Sequence, residues 1–306
     1  MIIIPLTDSW GKVPEMNDYT LPADLKGVRD RYAAQGFDSD TVALFQKMIY
    51  RHYQKHGRDF PWRNTGNPYH VLVSEIMLQQ TQVKRVITKF GEFIGTFPDF
   101  SSLSRSSLEQ VLAVWQGLGY NRRAKALKDI AVIVVNDYGG ELPASVDELI
   151  SFPGIGRATA SSIAAFAFNK PVIFLETNIR SVFIYLCFPH DGPVRDEKLI
   201  PLVATTLDRK HPGNWYNALM DFGTVLKSAV RNPSRRSAHY TRQGPFEGSN
   251  RQVRGMILKT LLTHPGLTER KLVSHLEKDR DVVRGNLEAL CNEGLITKRG
   301  TRYAIS

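Results

Sequence analysis

Helical periodicity that recurs from residue 41 to residue 227 is the feature that most constrains the fold of this chain. The first such segment, TVALFQKMIYRHYQKHG (41–57), places Val42, Phe45, Ile49 and Tyr53 on one helical face. Because strand-like runs are few and short, this region is predicted to be all-α, whereas residues 1–40 lack the periodicity and are interpreted as an N-terminal extension. The further helical segments lie roughly at 70–80, 82–93, 107–115, 121–137, 145–151, 157–168, 178–188, 196–208 and 213–227.

A change of composition marks the end of this helical region. Between residues 227 and 254 the chain carries seven Lys or Arg and one acid, with two Pro and two Gly. We interpret residues 228–249 as a basic, loop-like connector. Three further helical stretches follow, and then LITKRGTRYAI, in which two apolar-bounded strands flank a Lys-Arg-Gly turn. Residues 250–306 are therefore predicted to form a small winged helix-turn-helix domain.

Charge and cysteine content narrow the class of protein. The formal net charge is +10, so an anionic polymer or an anionic surface is an expected partner. Cys187 and Cys291 are too few for a four-cysteine metal site, and their separation argues against a disulfide framework. No apolar stretch approaches the ~20 residues of a membrane span, and the opening lacks a signal-peptide pattern. A cytoplasmic protein without a membrane partner is expected.

A Pro-Gly-Ile-Gly turn joins two helical segments in ELISFPGIGRATASSIAAFAF (148–168). Its glycines allow a tight turn, which leaves the first amide N–H groups of the second helix unpaired and facing outward. Such groups, together with the helix dipole, bind a phosphate without a cationic side chain. The turn by itself is equally consistent with a plain connection between helices. The motifs that follow favour a phosphate site at Gly154, Ile155, Gly156 and Arg157.

The hairpin, followed by a carboxylate at the next helix start, resembles the helix-hairpin-helix (HhH-GPD) DNA glycosylase superfamily over about 190 residues. The resemblance is closest to MutY-type adenine DNA glycosylases. It implies two helical subdomains within residues 41–227 with a DNA cleft between them, and a monomer that acts on double-stranded DNA in the nucleoid. The segments that carry it are PWRNTGNPYHVLVSEIMLQQTQV (61–83), VWQGLGYNRRAKAL (114–127), FPGIGRATA (152–160) and NALMDFG (217–223).

Cleavage of an N-glycosidic bond to a purine requires a proton on the departing base and stabilisation of a cationic sugar. One acid must therefore be protonated while one carboxylate stays charged. Glu75 lies among apolar residues that favour its protonated form, and it matches the family's general acid. Glu176 precedes a predicted helix start, where the dipole favours the anion. By the resemblance it takes the place of the family's catalytic aspartate, and Asn178 that of an Asn that orients this carboxylate.

The catalytic segment departs from the family pattern, because the usual LDGN is LETN in this chain. The additional methylene of Glu176 moves the carboxylate by roughly 1.5 Å, and a displacement of about 1 Å can lower a rate ~100-fold. Either the backbone adjusts, or Glu176 is only an N-terminal helix charge and the chain lacks this activity. Asp221 is the alternative carboxylate and is expected to be structural.

The hairpin residue Ala158 bears on the type of reaction. In endonuclease III-type relatives this position carries a lysine that attacks the sugar and cuts the strand. Alanine has no nucleophile, so the resemblance implies a monofunctional glycosylase that leaves an abasic site.

The target base must leave the stack before it can be reached, and the family inserts side chains into the duplex to fill the gap. Without the motif match, Trp62 and Leu78 would be better explained as core, and Gln79 and Gln80 as solvated helix positions. The residues that match the base pocket or the inserted positions are Trp62, Arg63, Leu78, Gln79, Gln80 and Tyr120. Candidates for phosphate contacts outside the hairpin are Arg122, Arg123, Lys125, Arg235, Arg236 and Arg251.

Two family features are expected to be missing. Lys227, Ser234, Ser237 and Gln243 stand at about the positions of the four cluster cysteines, so no iron–sulfur cluster is predicted and hydrogen bonds must hold the loop. No other cofactor is predicted, although the hairpin leaves room for a monovalent cation. In place of the large domain that recognises 8-oxoguanine stands the predicted winged helix. Its helix near 280–292 and its wing at Lys298 and Arg299 are candidates for DNA contact, although such modules also bind proteins or cap a neighbouring domain.

Together these inferences predict a base-excision-repair DNA glycosylase, with adenine opposite guanine or 8-oxoguanine as the first substrate to consider. Thymine or uracil opposite guanine, or an oxidised pyrimidine, is the alternative substrate. A catalytically weakened protein that binds DNA lesions is the alternative of another class.

Overall fold

The computed structural model describes residues 21–63 and 65–306, so the first half of the predicted N-terminal extension, residues 1–20, lies outside it. Helices dominate the described chain, which confirms the predicted all-α class. The helices are α1 (Asp24–Gln35), α2 (Ser39–His56), α3 (Pro68–Leu78), α4 (Val83–Thr96), α5 (Phe100–Arg105), α6 (Leu108–Trp115), α7 (Arg122–Asp137), α8 (Val146–Ser151), α9 (Arg157–Phe168), α10 (Thr177–Cys187), α11 (Asp196–Thr206), α12 (Pro212–Ala229), α13 (Asn250–Thr263), α14 (Glu269–Leu276) and α15 (Arg280–Asn292). The strands are β1 (Leu267–Thr268), β2 (Ile296–Arg299) and β3 (Arg302–Ile305).

The chain divides into two compact units, each built from two separated stretches. The first unit combines the described residues up to Gly66 with Arg157–Arg242. The second unit combines Asn67–Gly156 with Gln243–Ser306. No helix of the described chain is both long and apolar enough to traverse a lipid bilayer.

The core of the first unit forms where α2, α10 and α12 meet. The Phe45 ring packs edge-on against Trp215 at 5.6 Å between centroids and against Phe183 at 5.9 Å. All three rings are fully buried, and edge-to-face aromatic pairs of this kind add to the free energy gained by burial. The aromatic positions of three helices thus fix the scaffold from which α10 starts.

Helix α1 lies in the second half of the predicted N-terminal extension and was not predicted from the sequence. It packs against α2 and α10 and buries Leu25 and Val28. The sequence gives a weak signal because only these two residues of α1 are buried and the N-cap residue, Ala23, makes no side-chain hydrogen bond to the helix.

The second unit begins with α3–α8, packed around Trp115. The Trp115 ring lies 5.9 Å from that of Phe93, nearly perpendicular to it. Helix α5, which the sequence does not predict, has six residues and starts with a capping box in which Asp99 and Ser102 each accept from the other's backbone N–H. A helix this short shows no hydrophobic period, so the cap is the signal that identifies it.

Residues 250–306 complete the second unit with three helices and a three-stranded antiparallel sheet of order β1-β3-β2. In the predicted hairpin, Ile296 pairs with Ile305 and Arg299 with Arg302, and Gly300 supplies the positive φ of 60° at the turn. The two-residue strand β1, which pairs with β3, is too short to predict. Helix α13 contacts α6, so this segment belongs to the same compact unit as Asn67–Gly156.

Candidate active site and DNA-contacting residues

The carboxylate of Glu176 caps the N-terminus of α10. The residue is extended (φ −124°, ψ 173°), and Oε1 accepts hydrogen bonds from the backbone N–H groups of Asn178 at 2.9 Å and Ile179 at 3.2 Å. Its longer side chain therefore folds back onto its own helix and occupies the position that a shorter aspartate fills in ordinary N-caps. These two hydrogen bonds satisfy amides that have no carbonyl partner within the helix.

Asn178 supports the same carboxylate with its side chain. Its Nδ2 donates to Oε2 of Glu176 at 3.3 Å, while its Oδ1 is buried and has no hydrogen-bond partner among the described residues. A buried acceptor without a partner is uncommon and marks a place where a donor, such as a water, can bind. The predicted pair of Glu176 and Asn178 is thus brought together, and one acceptor beside it stays available.

Gly223 of α12 lies directly behind Asn178. A Cβ atom at this position would come within 2.4 Å of the Asn178 carbonyl oxygen, so only glycine allows α12 to approach the start of α10 this closely. The glycine belongs to the NALMDFG motif, but sequence reasoning weighed only Asp221 of that motif. The local geometry therefore assigns the motif a second role in placing α10.

Asp221 is buried and bound by two arginines, which agrees with its expected structural role. Arg58 donates to it through its backbone N–H and its Nε, both at 2.7 Å, and both Nη atoms of Arg63 donate to it at 2.9 Å. Burial by itself would raise the pKa of Asp221, but the hydrogen bonds and charges of Arg63 and Arg58 bring it below its usual range. Arg58 was not singled out from the sequence.

Arg63 corrects the prediction that it lines a base pocket. Its side chain is 5% exposed, and its guanidinium is engaged by Asp221 and the carbonyl of Arg58. It also lies over the ring of Phe60 at 4.8 Å. Trp62 is likewise buried and stacks on Phe60 at 5.1 Å, so in the first unit both residues contribute to packing.

Glu75 lies on α3 in the second unit, where it is half-buried and flanked by fully buried apolar residues such as Leu72. The helix ends at the half-buried Leu78, followed by the predicted inserted residues. Gln79 Nε2 donates to the carbonyl of Gly154 in the hairpin turn at 3.3 Å. Gln80 is exposed and adopts φ 54°, a left-handed conformation that holds its side chain at the tip of a tight turn.

Arg123 corrects the prediction of a phosphate contact. It is 8% exposed, and its Nη1 donates to three carbonyls at the end of α3, those of Ile76, Met77 and Gln79, at 2.6–2.9 Å. Its Nη2 donates to the turn before Tyr120 and to Thr81. Burial lowers its pKa to about 10, so it stays charged at neutral pH. Arg123 therefore holds two turns together and has no exposed donor for DNA.

Tyr120 belongs to the first stretch of the second unit, Asn67–Gly156, and contacts the second stretch, Gln243–Ser306. It adopts φ 48°, its ring faces the Arg123 guanidinium at 5.4 Å, and its hydroxyl accepts from Arg251 Nη1 at 3.0 Å and from Gln243. Arg251 also donates to the carbonyls of Gly244 and Pro245. These contacts give Arg251 an internal role in fixing the connector beside Tyr120, and its contact with phosphate stays a prediction.

Of the other basic residues predicted to contact phosphate, some bind neighbouring residues of the protein and others are exposed. Lys125 pairs with Asp129 at 2.7 Å, and Nη2 of Arg236 donates to the carbonyls of Phe188 and Asp191. Their contacts with phosphate stay predictions. Arg122 is 72% exposed and lies 3.8 Å from Glu293. The exposed basic side chains among the candidates are therefore Arg122, Arg157 and Arg235.

The loop at the expected cluster position is held by its own hydrogen bonds. Asn232 Oδ1 accepts from the backbone N–H and the hydroxyl of Ser234. A short bridge joins Val194 to Ser237, with Val194 N–H donating to Arg236 at 2.7 Å and Ala238 N–H to Val194 at 2.8 Å. Among the residues that the structure describes, no three His, Cys, Asp or Glu side chains form a metal site.

The hairpin turn presents backbone rather than side chains. Gly154, Gly156, Arg157 and Ala158 are exposed, while Ile155 is buried and anchors the turn through its N–H to Phe152. Gly154 has φ 75°, and a Cβ there would lie 3.1 Å from that of Ala126. The first amide N–H groups of α9 have no carbonyl one turn earlier to bond to, so they can donate hydrogen bonds to an anion.

Comparisons with known proteins show which family this chain resembles. The family described as HhH-GPD superfamily base excision DNA repair protein matches residues 73–199. An adenine DNA glycosylase of Buchnera aphidicola subsp. Baizongia pistaciae is 37% identical over 188 residues, which are 61% of this chain and 54% of that protein. An adenine DNA glycosylase of Mycobacterium tuberculosis is 30% identical over 273 residues, 80% of this chain and 88% of that protein. The match thus spans about half of the Buchnera relative and most of the mycobacterial one.

Solved structures show the same fold. A thermostable thymine-DNA glycosylase superposes with a TM-score of 0.52 at 27% identity, over 60% of this chain and 85% of that chain. A non-covalent endonuclease III–DNA complex gives a TM-score of 0.51 at 16% identity, over 60% and 85%, and supports the fold alone.

Proposed function

This chain belongs to the HhH-GPD superfamily of base excision DNA repair proteins, and from that membership we propose that it is a DNA glycosylase. It would hydrolyse the N-glycosidic bond of an everted, mismatched or damaged base in duplex DNA. Adenine opposite guanine or 8-oxoguanine is the proposed substrate, because relatives at 30–37% identity are adenine DNA glycosylases.

The observation that carries this proposal is the Glu176 carboxylate held at the start of α10 by two backbone amides and Asn178. An anion fixed in this way can stabilise a cationic sugar, since it needs no reorganisation as the charge develops. Glu75, half-buried among apolar side chains, would donate the proton to the departing base. Glu176 and Asn178 would then bind and orient the attacking water.

The absence of a nucleophile at Ala158 supports a monofunctional reaction. This exposed position at the start of α9 cannot form a Schiff base with the sugar. The product would be an abasic site in an intact strand, and strand cleavage would require subsequent alkali treatment.

Contacts to DNA would come from exposed backbone and exposed cations. We propose that the amides after Gly154 and Gly156, together with Arg157, bind one phosphate, and that a monovalent cation can occupy the same turn. Arg122, Arg235 and the wing residues Lys298 and Arg299 are exposed and would bind further phosphates. Gln80 and Tyr120 would lie beside the gap left by the everted base. The protein would act as a monomer on DNA in the cytoplasm.

A second substrate class is supported by the thymine-DNA glycosylase, whose structure is similar to this chain at 27% identity. Removal of thymine or uracil opposite guanine would use the same two carboxylates. The LETN sequence in place of LDGN sets this chain apart from the usual adenine enzymes and leaves this alternative for experiment.

The test is a panel of end-labelled duplexes that contain A:8-oxoG, A:G, T:G, U:G or 5-hydroxymethyluracil, incubated with the protein and then treated with alkali. Alkali-dependent cleavage of the adenine duplexes is expected, and cleavage without alkali would contradict the monofunctional assignment. Glu176→Gln should lower the rate at least ~100-fold while the affinity for DNA is retained. Tight binding without cleavage of any duplex would instead support a lesion-binding protein.

A further inference from the structure

We propose that Lys227 is a positioning residue for Glu176, whose ammonium group provides the counter-charge that keeps this carboxylate ionised and in place. The inference rests on the proposed role of Glu176 in the glycosylase reaction. It connects two departures from the family pattern, because Lys227 stands where the resemblance expects a cluster cysteine and Glu176 where it expects aspartate.

Helix geometry places Lys227 on the face of α12 that meets α10. Gly223 marks the face of α12 that meets α10, since a Cβ on it would lie 2.4 Å from the Asn178 carbonyl oxygen. Residues four apart lie on the same face of a helix, one turn of about 5.4 Å further along. Lys227 therefore extends from the face of α12 that packs against the residues following Glu176.

The surroundings leave Lys227 without another acid to pair with. It is half-buried and makes no hydrogen bond and no ion pair within 4.0 Å among the described residues. Burial lowers the pKa of Lys227 below that of a free lysine, whereas the charge of Glu176 opposes this effect and that of Arg58 adds to it. A partly buried ammonium requires a nearby negative charge, and here Glu176 supplies it.

The other cations near Glu176 or Lys227 already form ion pairs with aspartates. Arg180 of α10 binds Asp196 through two hydrogen bonds of 2.8 and 2.6 Å. Arg58 binds Asp221, which is also bound by Arg63. Lys227, by contrast, has no carboxylate within 4.0 Å among the described residues of the first unit.

The positive charge of Lys227 would matter most when DNA is bound. Oε1 of Glu176 accepts hydrogen bonds from two backbone N–H groups. Among the described residues, Oε2 accepts only from the side-chain Nδ2 of Asn178, at 3.3 Å. Phosphates of bound DNA disfavour a further negative charge near them, and water leaves the site when DNA binds. A fixed ammonium counteracts both effects, because charge interactions strengthen as water is excluded.

The test compares Lys227→Met with the charge-conserving Lys227→Arg. Single-turnover cleavage is measured from pH 5 to 9 together with DNA affinity, and thermal unfolding controls for folding. In Lys227→Met we expect the acid limb of the pH–rate profile to move to higher pH, with a rate about tenfold lower on that limb and recovery at high pH. Lys227→Arg should restore the wild-type profile. A uniform loss of DNA affinity with an unchanged profile would overturn the proposal and assign Lys227 to phosphate binding.

A second measurement separates this inference from the proposed function. The titration of Glu176 is followed by carbon-13 NMR of the glutamate carboxyls, assigned with Glu176→Gln, in wild type and Lys227→Met. The titration midpoint should rise in Lys227→Met even if no duplex of the panel is cleaved. An unchanged midpoint would overturn the role of Lys227, whereas a shifted midpoint in a protein that cleaves no duplex would contradict only the glycosylase assignment.

Discussion

His52 shows, at the scale of a residue, how an unpaired buried group makes stability depend on pH. It is 5% exposed, and neither ring nitrogen has a hydrogen-bond partner among the described residues. Burial and the nearby His56 lower its pKa to about 4 against an opposing effect of Asp221. An unfolded histidine titrates near pH 6.5, so between about pH 6.5 and 4 the unfolded state binds a proton that the folded state does not. The free energy of unfolding therefore falls as pH drops through this window, by up to about 3 kcal/mol.

The substitution His52→Leu should remove this part of the pH dependence. Because an apolar side chain leaves no buried donor or acceptor unpaired, we expect equal or higher stability than wild type at pH 7.5 and a smaller loss at pH 4.5. Urea unfolding at the two pH values measures both. The exposed His190 is the matched control, and its replacement by Gln should leave the difference between the two pH values as in wild type. An unchanged pH dependence in His52→Leu would contradict the assignment.

Single residues also show what sequence could predict of the site. Glu176 was singled out because a helix start is visible in the sequence, and it does cap α10. Asn178 was singled out by the family resemblance alone, and the catalytic roles of both residues stay predictions. Arg63 and Arg123 were not correctly assigned, since their partners, the carboxylate of Asp221 and the carbonyls at the end of α3, are distant in sequence. An arginine in a motif that resembles a DNA-binding family is equally suited to an internal role, and only the folded geometry decides between them.

At the scale of an element, the contact between α12 and α10 depends on one glycine. In Gly223→Ala the new methyl group would meet the Asn178 carbonyl oxygen at 2.4 Å, so the two helices must separate. We expect a loss of about 2 kcal/mol or more in unfolding free energy, as for other overpacked sites, with activity lowered further because Glu176 starts the displaced helix. Denaturant unfolding and the duplex assay measure the two effects.

Gly91 in α4 is the matched control for Gly223, because a Cβ on it meets nothing within 4 Å. Gly91→Ala should raise the unfolding free energy by about 0.5–1 kcal/mol, the usual gain of alanine over glycine inside a helix. Equal effects of the two substitutions would show that the approach of α12 to α10 is not limited at Gly223.

The sequence located the long helices because their apolar residues recur at helical spacing and their ends carry clear signals. Ser107 and Gln110, for example, form the capping box that starts α6. It missed α1, α5 and β1, which are short or bury few residues, so their formation depends on neighbours remote in sequence. The β2–β3 hairpin was predicted because its turn and alternation are local.

At the scale of the whole molecule, the contacts of residues 243–306 make them part of the second unit. Helix α13 contacts α6, and Gln243 and Arg251 bind the hydroxyl of Tyr120. A chain that ends at Arg242 should therefore show faster amide exchange in α6 and at Tyr120, while α10 of the first unit provides the internal reference. Hydrogen–deuterium exchange with mass spectrometry measures this, and identical protection of α6 in both proteins would contradict the prediction.

The interleaved order of the two units has a consequence for biosynthesis. The ribosome completes Asn67–Gly156 before the residues that finish the first unit, and it must then make all of Arg157–Arg242 before Gln243–Ser306 can join the second unit. At about 5–20 residues per second, the nascent chain spends several seconds with incomplete apolar surfaces of both units. Slow translation or early release within this interval would leave the chain to chaperones. The yield of folded protein should therefore depend more on chaperone capacity than is usual for a chain of this length.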